Sequence, residues 1–252
     1  MAMIEKLSKY DGTEKVDALI YRSLVGSLIY LTNTRPDIVH AVSICSKFMN
    51  EPCKLHFVAS KRILRYIQGT KKHNIKYIFE NNTNLVGFSN SDWVGIIDDR
   101  KSTSGYILCQ GTKVISWSSR KQNTMALSST EAESISTTSV VYEAIWLRRI
   151  LSNLQQKQNA STTIFYDLQQ KQNTSTTIFY DNMSAIIMTK NLIFHNRSKH
   201  IEIRHHFIRE LTEKGEIEPK FINTNDQLTN IFAKTISTEQ FIQFRDLMRV
   251  TN

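Results

Sequence analysis

The sequence predicts an α/β protein, with helices on both faces of a mixed sheet and a small helical unit ahead of it. Three observations lead there. Leucines and isoleucines recur at helical spacing through roughly the first 70 residues, and the pattern turns strand-like beyond the polar run Asn81-Asn82-Thr83-Asn84. From residue 85 onward three strands, a long helix, a strand, a helix, a strand and a helix succeed one another, the pattern of a three-layer α/β/α unit. Helix openings are marked by Ser/Thr-x-x-Glu/Gln capping boxes at 128–131, 224–227 and 237–240. The division expected is a helical unit over 1–80, an α/β domain over 81–236 and a C-terminal helix over 237–252.

In the helical unit, residues 1 to about 12 form a lead-in, and Leu19, Leu24, Leu28 and Leu31 trace the first helix. Thr34 and Pro36 supply an N-cap and an N1 proline for a second helix through about Met49. The turn at Glu51-Pro52 precedes a third helix, about Leu55 to Gln68, with Gly69 as the residue past its end. Lys61, Arg62 and Arg65 lie on this helix, with Lys71, Lys72 and Lys76 just beyond. Such a row is either a solvated face or a track for a phosphate backbone.

The α/β domain opens with a strand over 85–93. Leu85, Gly87, Ser89, Ser91 and Trp93 share one of its faces; Val86, Phe88, Asn90 and Asp92 share the other. Apolar residues at its start and short polar ones at its end describe a strand rooted in a core and opening into a polar site. Asp92 there is placed to hold a hard cation, which prefers oxygen ligands. A hairpin follows, about 105–110 and 113–118, turning at Gln110-Gly111. The long helix begins after Ser128 and runs to about Leu154, with Ala132, Val140, Ala144, Leu147, Leu151 and Leu154 as its inward stripe.

Next come tandem 14-residue copies, 154–167 and 168–181, that differ only at Ala160 versus Thr174. Two copies make no solenoid, which needs at least three units. Each ends in TTIFYD, an apolar strand-like run closed by a carboxylate. Because the second copy leads into a helical stretch, NMSAIIMTKN, the sheet strand is expected at 176–181, with the first copy spare. A basic helix closing at Gly215, an edge strand containing Pro219, and two capped helices complete the chain.

A formal net charge of +9 makes a polyanionic partner plausible, nucleic acid first and a membrane surface second. Cys45, Cys53 and Cys109 are scattered without metal-finger spacing, which fits buried thiols in a reducing compartment. The start has no apolar run of the kind a secretory signal needs, and no window approaches the roughly 18 apolar residues of a membrane span. An intracellular protein of the cytoplasm or nucleus is expected.

Carboxylates gathered at a strand end and on facing helices suit two-metal phosphodiester hydrolysis, in which acids neutralise two dications about 4 Å apart. The motifs GFSNSDWVG, DDRKSTSGY, ISWSSRKQ, ALSSTEAES, EAIWLR, FYDNMSAI, SKHIEIRHHFIRE and DQLTNIFAK, in this order, closely resemble the ribonuclease H domain of copia-type LTR retrotransposon polyproteins. YRSLVGSLIYLTNTRPDI and SKRILRYIQGT resemble the segment joining reverse transcriptase to that domain. The resemblance spans about Leu19 to Phe232 apart from the duplication, and includes nothing of the polymerase palm.

What it implies is a ribonuclease H-like three-layer fold, preceded by a helical connection, that cleaves the RNA strand of an RNA–DNA hybrid with two Mg²⁺ (or Mn²⁺) held by four acids. Those positions match Asn90, Glu133, Asp181 and Asn230, so two of the four are amides here. Asp92, on the face of Asn90, is the acid nearest in sequence to compensate. Plainer roles exist: Glu133 as a first-turn acid favoured by the helix dipole, Asp181 as an N-cap, and Asp98 and Asp99 as loop acids. His200, His205 and His206 read as solvated or structural; the family pattern has His at 200 and 206 and Tyr at 205. Two functional classes result: a metal-dependent nuclease on Glu133, Asp181 and Asp92, or a non-catalytic product of a degenerate element that keeps the fold and binds nucleic acid. The amides and the tandem copy favour impaired catalysis.

Overall fold

Asp17 opens the first helix, α1 (Ala18–Leu31), by accepting from the backbone N–H groups of Leu19 and Ile20. The computed structural model describes residues 7–9, 12–79, 84–95, 98–155, 160–166 and 199–252. Tyr21, Val25 and Leu28 form the inward stripe of α1, whereas Leu19 is 73% exposed. The leucine spacing misplaces this face because Tyr21 is the anchor: its ring is buried and its hydroxyl donates to the Cys45 carbonyl at 2.9 Å.

Thr32 caps α1, and Thr34 follows in the turn with its hydroxyl donating back to the Leu31 carbonyl, so that Arg35 and not Thr34 holds the cap position of the next turn. Pro36–Ile38 form a short 3-10 turn entering α2 (Val39–Ser46), and α3 (Lys54–Gly69) follows. Arg35 and Asp37 make a buried ion pair at 2.7 Å, and Tyr66 on α3 donates to the same carboxylate, pinning the turn to α3. Gly69 is the last helical residue, and Thr70 is the cap.

After a short strand β1 (Asn74–Ile75), the main sheet is built from β2 (Leu85–Asp92), β3 (Thr103–Gln110), β4 (Lys113–Lys121), β5 (Thr162–Tyr166) and β6 (Ile217–Phe221). Its order is β4-β3-β2-β5-β6. β2, β3 and β4 pair antiparallel, while β5 pairs parallel to both β2 and β6. The sheet is therefore mixed. The long helix α4 (Ser129–Asn153) precedes β5, and α5 (Lys199–Glu213) precedes β6. Gly215, at φ 68°, ends the helical run in a left-handed conformation that favours glycine. α6 (Asn230–Ala233) and α7 (Thr238–Leu247) lead to β7 (Val250–Thr251), which pairs antiparallel with β1.

Two apolar layers sandwich the sheet. On one face Leu108 and Ile164 pack against Val140 and Ala144 of α4 and Ile208 and Leu211 of α5. On the other, Ile107 and Val114 pack against Phe232 of α6, Phe244 of α7 and Val39 of α2. A helix of the N-terminal bundle thus belongs to the second layer. Trp117 Nε1 donates to the Thr32 carbonyl at 2.9 Å, and the Tyr77 hydroxyl to that of Val114 at 3.1 Å, across the same junction.

Three further expectations are corrected. The strand between β2 and β6 is the first repeat copy, Thr162–Tyr166, not 176–181; the second copy lies outside the described residues. Both copies carry the same TTIFY text, so sequence could not choose between them. Leu154 is 65% exposed beyond the end of α4, whose buried stripe is Ala132, Val140, Val141, Ala144 and Ile145. Gln227 does not close a capping box with Thr224: its Nε2 donates to the Ser89 carbonyl of β2, and α6 starts only at Asn230. At Ser128 and Ser237 the N-cap half forms, each hydroxyl accepting from the N–H three residues on, while Glu131 Oε2 accepts from the Leu127 N–H instead of closing its box.

Candidate functional site

β2 places alternate side chains on opposite faces of the sheet, and both faces contribute to the site at its C-terminal end. On the α4 face the Ser89 hydroxyl meets that of Thr137 at 3.1 Å. Ser91 donates its backbone N–H and its hydroxyl to Glu133 Oε1, at 2.8 and 2.9 Å. Glu133 is one helical turn past Ser128 and is nearly buried, at 8% exposure. Its carboxylate is thus anchored to the strand, a role beyond that of a first-turn acid.

On the opposite face Asn90 and Asn230 meet. Asn90 Nδ2 donates to Asn230 Oδ1 at 2.6 Å, and Asn230 Nδ2 donates to the Thr224 carbonyl at 2.6 Å. Each residue is 2% exposed. α6 can approach β2 this closely because Gly105, the register partner of Asn90, has no side chain. A Cβ at Gly105 would lie 2.7 Å from Phe232 Cβ and 3.0 Å from its carbonyl carbon. The Asn90 carbonyl in turn accepts from the Ser136 hydroxyl of α4 at 2.8 Å.

Asp92 lies two residues beyond Asn90 on the same strand face, paired in register with Thr103. Lys47, the residue that ends α2, donates to the Thr103 hydroxyl at 3.5 Å. Burial, and then repulsion by Lys121, lower the Lys47 ammonium to about 8, against the opposing pull of Asp99 and Asp92. Asp99 is ion-paired with Lys121, whose hydrogen bond and charge outweigh desolvation and hold the carboxyl below its usual range. Asp98 accepts from the Ser8 hydroxyl at 2.7 Å and so ties the N-terminal lead-in to this loop.

The expected site residues therefore divide. Asn90 and Asn230 are in contact, Glu133 is joined to the neighbouring Ser91 from the other side of the sheet, and Asp92 sits further along the rim. Asp181 lies outside the described residues, as does Asp167, which follows β5 in the sequence. Lys61, Arg62, Arg65, Lys71 and Lys72 are exposed on and beyond α3. His206 is exposed on α5; the side chains of His200 and His205 are outside those described. Sequence reasoning gave no site role to Ser91, Gln227, His40, Lys47 or Lys121. Only Ser91 carried a signal, its alternation with Asn90 on β2.

Of the four positions that the resemblance implies, the described residues include Asn90, Glu133 and Asn230, of which Glu133 alone is an acid. One amide donates to the other, the second donates to Thr224, and the pair brings no negative charge. Glu133 Oε1 already accepts two hydrogen bonds from Ser91. Among the described residues no three His, Cys, Asp or Glu side chains are grouped to hold a metal ion.

A mixed sheet flanked by helix layers, with polar residues of β2, α4 and α6 converging at one strand end, defines an α/β domain whose site carries an amide pair. No protein-family model matches the chain. It is 39% identical over 251 residues, its whole length, to the retrovirus-related Pol polyprotein from transposon RE1 of Arabidopsis thaliana, covering 16% of that protein. It is 41% identical over 167 residues, 66% of the chain and 12% of the relative, to that from transposon RE2 of the same plant. The chain belongs to the copia-type retrovirus-related Pol polyproteins and spans less than a fifth of the length of these two relatives. A solved structure of LC11-RNase H1, isolated from compost, is a distant likeness at 8% identity and TM-score 0.35, over 66% of this chain and 92% of that one.

Proposed function

We propose that this chain is the ribonuclease H-like portion of a retrotransposon Pol polyprotein that has kept a nucleic-acid-binding role while losing most or all two-metal hydrolysis of RNA–DNA hybrids. The Asn90–Asn230 hydrogen bond carries this reading. Where the family holds two acids that only a dication can reconcile, this chain holds two amides that reconcile themselves. Replacing two carboxylates removes two negative charges from a site that must balance four positive ones. Asp92 does not make up the deficit in this reading, because it lies in the field of Lys47.

The net charge of +9 and the exposed cations on and after α3 support binding to a hybrid or other polyanion. The three cysteines are free and buried, in keeping with a reducing cytoplasm or nucleus. Among the described residues no helix is long and apolar enough to cross a membrane.

The test is incubation of the purified chain with a labelled RNA–DNA hybrid and Mg²⁺ or Mn²⁺. No cleavage is expected from the chain itself, and measurable cleavage from Asn90→Asp/Asn230→Asp. Wild-type cleavage abolished by Glu133→Gln would overturn the reading.

A further inference from the structure

We propose that Lys47, Lys121 and the Thr103 hydroxyl form a phosphate-binding subsite at the open end of β2. It rests on the nucleic-acid reading above and identifies one place where a backbone phosphate docks. Lys47 caps the C-terminal end of α2 in the helical bundle, whereas Thr103 and Lys121 are paired to each other on β3 and β4. Thr103 is also the register partner of Asp92, two residues along from the Asn90–Gly105 pair. The subsite is thus roughly 7 Å from the amide pair along the strand, on the same face.

Three ammonium groups converge there on two carboxylates. Lys121 is paired with Asp99, and Lys101 also acts on Asp99 while donating to the Asn123 carbonyl at 2.6 Å. Among the described residues Lys47 has no carboxylate within ion-pairing distance; its contact is the Thr103 hydroxyl. It is half-buried on the face where Thr103 and Lys121 are paired, and the Lys121 ammonium is already engaged by Asp99. A phosphodiester oxygen placed between Lys47 and Lys121 would supply the missing negative charge and take the hydrogen bonds both ammonium groups can offer. This location differs from the cationic row on α3, and joins the bundle to the domain through one ligand.

Binding of a labelled RNA–DNA hybrid is measured across a salt series for wild type, Lys47→Met, Lys121→Met and Lys47→Arg. Each methionine variant is expected to weaken binding about 3- to 10-fold and to lower the log–log salt slope by about one, with Lys47→Arg within about twofold of wild type. If wild type binds and both methionine variants keep its slope, the subsite is refuted and the nucleic-acid reading survives. A second arm needs neither hybrid nor variant: the rate at which an amine-acetylating reagent modifies Lys47, read by mass spectrometry with and without inorganic pyrophosphate. Protection is expected. An unchanged rate overturns the subsite, whereas protection in a chain that ignores the hybrid sustains it and overturns the nucleic-acid reading.

Discussion

Asn90 and Asn230, 140 residues apart in sequence, share a buried hydrogen bond of 2.6 Å, and the second of them also donates to Thr224. The pair links β2 to the loop entering α6 without any charge. Truncating either residue strands a buried polar partner, so Asn90→Ala and Asn230→Ala should each cost about 1–3 kcal/mol. Urea denaturation measures this; a loss below about 0.5 kcal/mol in both variants would show that the bond contributes little.

Metal dependence follows from the same geometry. Wild-type Tm should be the same in EDTA and in millimolar Mg²⁺. In Asn90→Asp/Asn230→Asp two carboxylates face each other, a repulsion of about 4 kcal/mol at 4 Å and an effective dielectric of 20. That variant should be destabilised at neutral pH, recover as acid protonates one carboxyl, and recover with Mg²⁺. A Tm that ignores both pH and Mg²⁺ would contradict the electrostatic account.

His40 should give acid sensitivity at the bundle–domain junction. Its Nδ1 lies 3.0 Å from the Phe232 carbonyl, and burial, followed by the Lys47 charge, lowers its pKa to about 4. An unfolded histidine titrates near 6.5, so between these values the unfolded chain binds more protons. The contribution is therefore complete above about pH 6.5 and lost as pH falls toward 4, on the order of 3 kcal/mol in all. His40→Asn keeps a donor toward the carbonyl and removes the titration. Its stability should fall less steeply than that of wild type between pH 6.5 and 4; equal slopes would assign the acid sensitivity elsewhere.

Gly105 and Gly87 offer a paired comparison of close packing. A Cβ at Gly87 would meet the side-chain ends of Ile164, Leu108 and Val140 at 2.7 to 3.1 Å, and these can shift. At Gly105 it would meet Phe232 backbone at 3.0 Å and Ala233 nitrogen at 3.2 Å. Gly105→Ala should therefore cost more than Gly87→Ala, by about 1 kcal/mol or more, because α6 has to move as a unit. Thermal unfolding of both variants decides it, and equal losses would refute the asymmetry.

The duplication yields a cleaner test. Deleting either copy leaves one sequence, apart from Ala or Thr at a single position. Since one TTIFY segment fills the slot between β2 and β6, the single-copy chain should fold with stability within about 1 kcal/mol of wild type, because loop length weighs little. Loss of the cooperative transition would mean that both copies are structural.

The sequence by itself determined the α/β fold class, the polar end of β2 and the caps at Ser128 and Ser237, because each depends on local periodicity or short-range hydrogen bonding; positions 90 and 230 were marked out by the family resemblance alone. Tertiary structure decided what no local pattern encodes. It chose between two identical TTIFY segments, drew Gln227 to β2, turned α1 onto Tyr21, and set Lys47 beside Lys121. Those outcomes depend on which surfaces meet and which buried polar atoms then find partners, and such meetings bring together residues far apart in the chain.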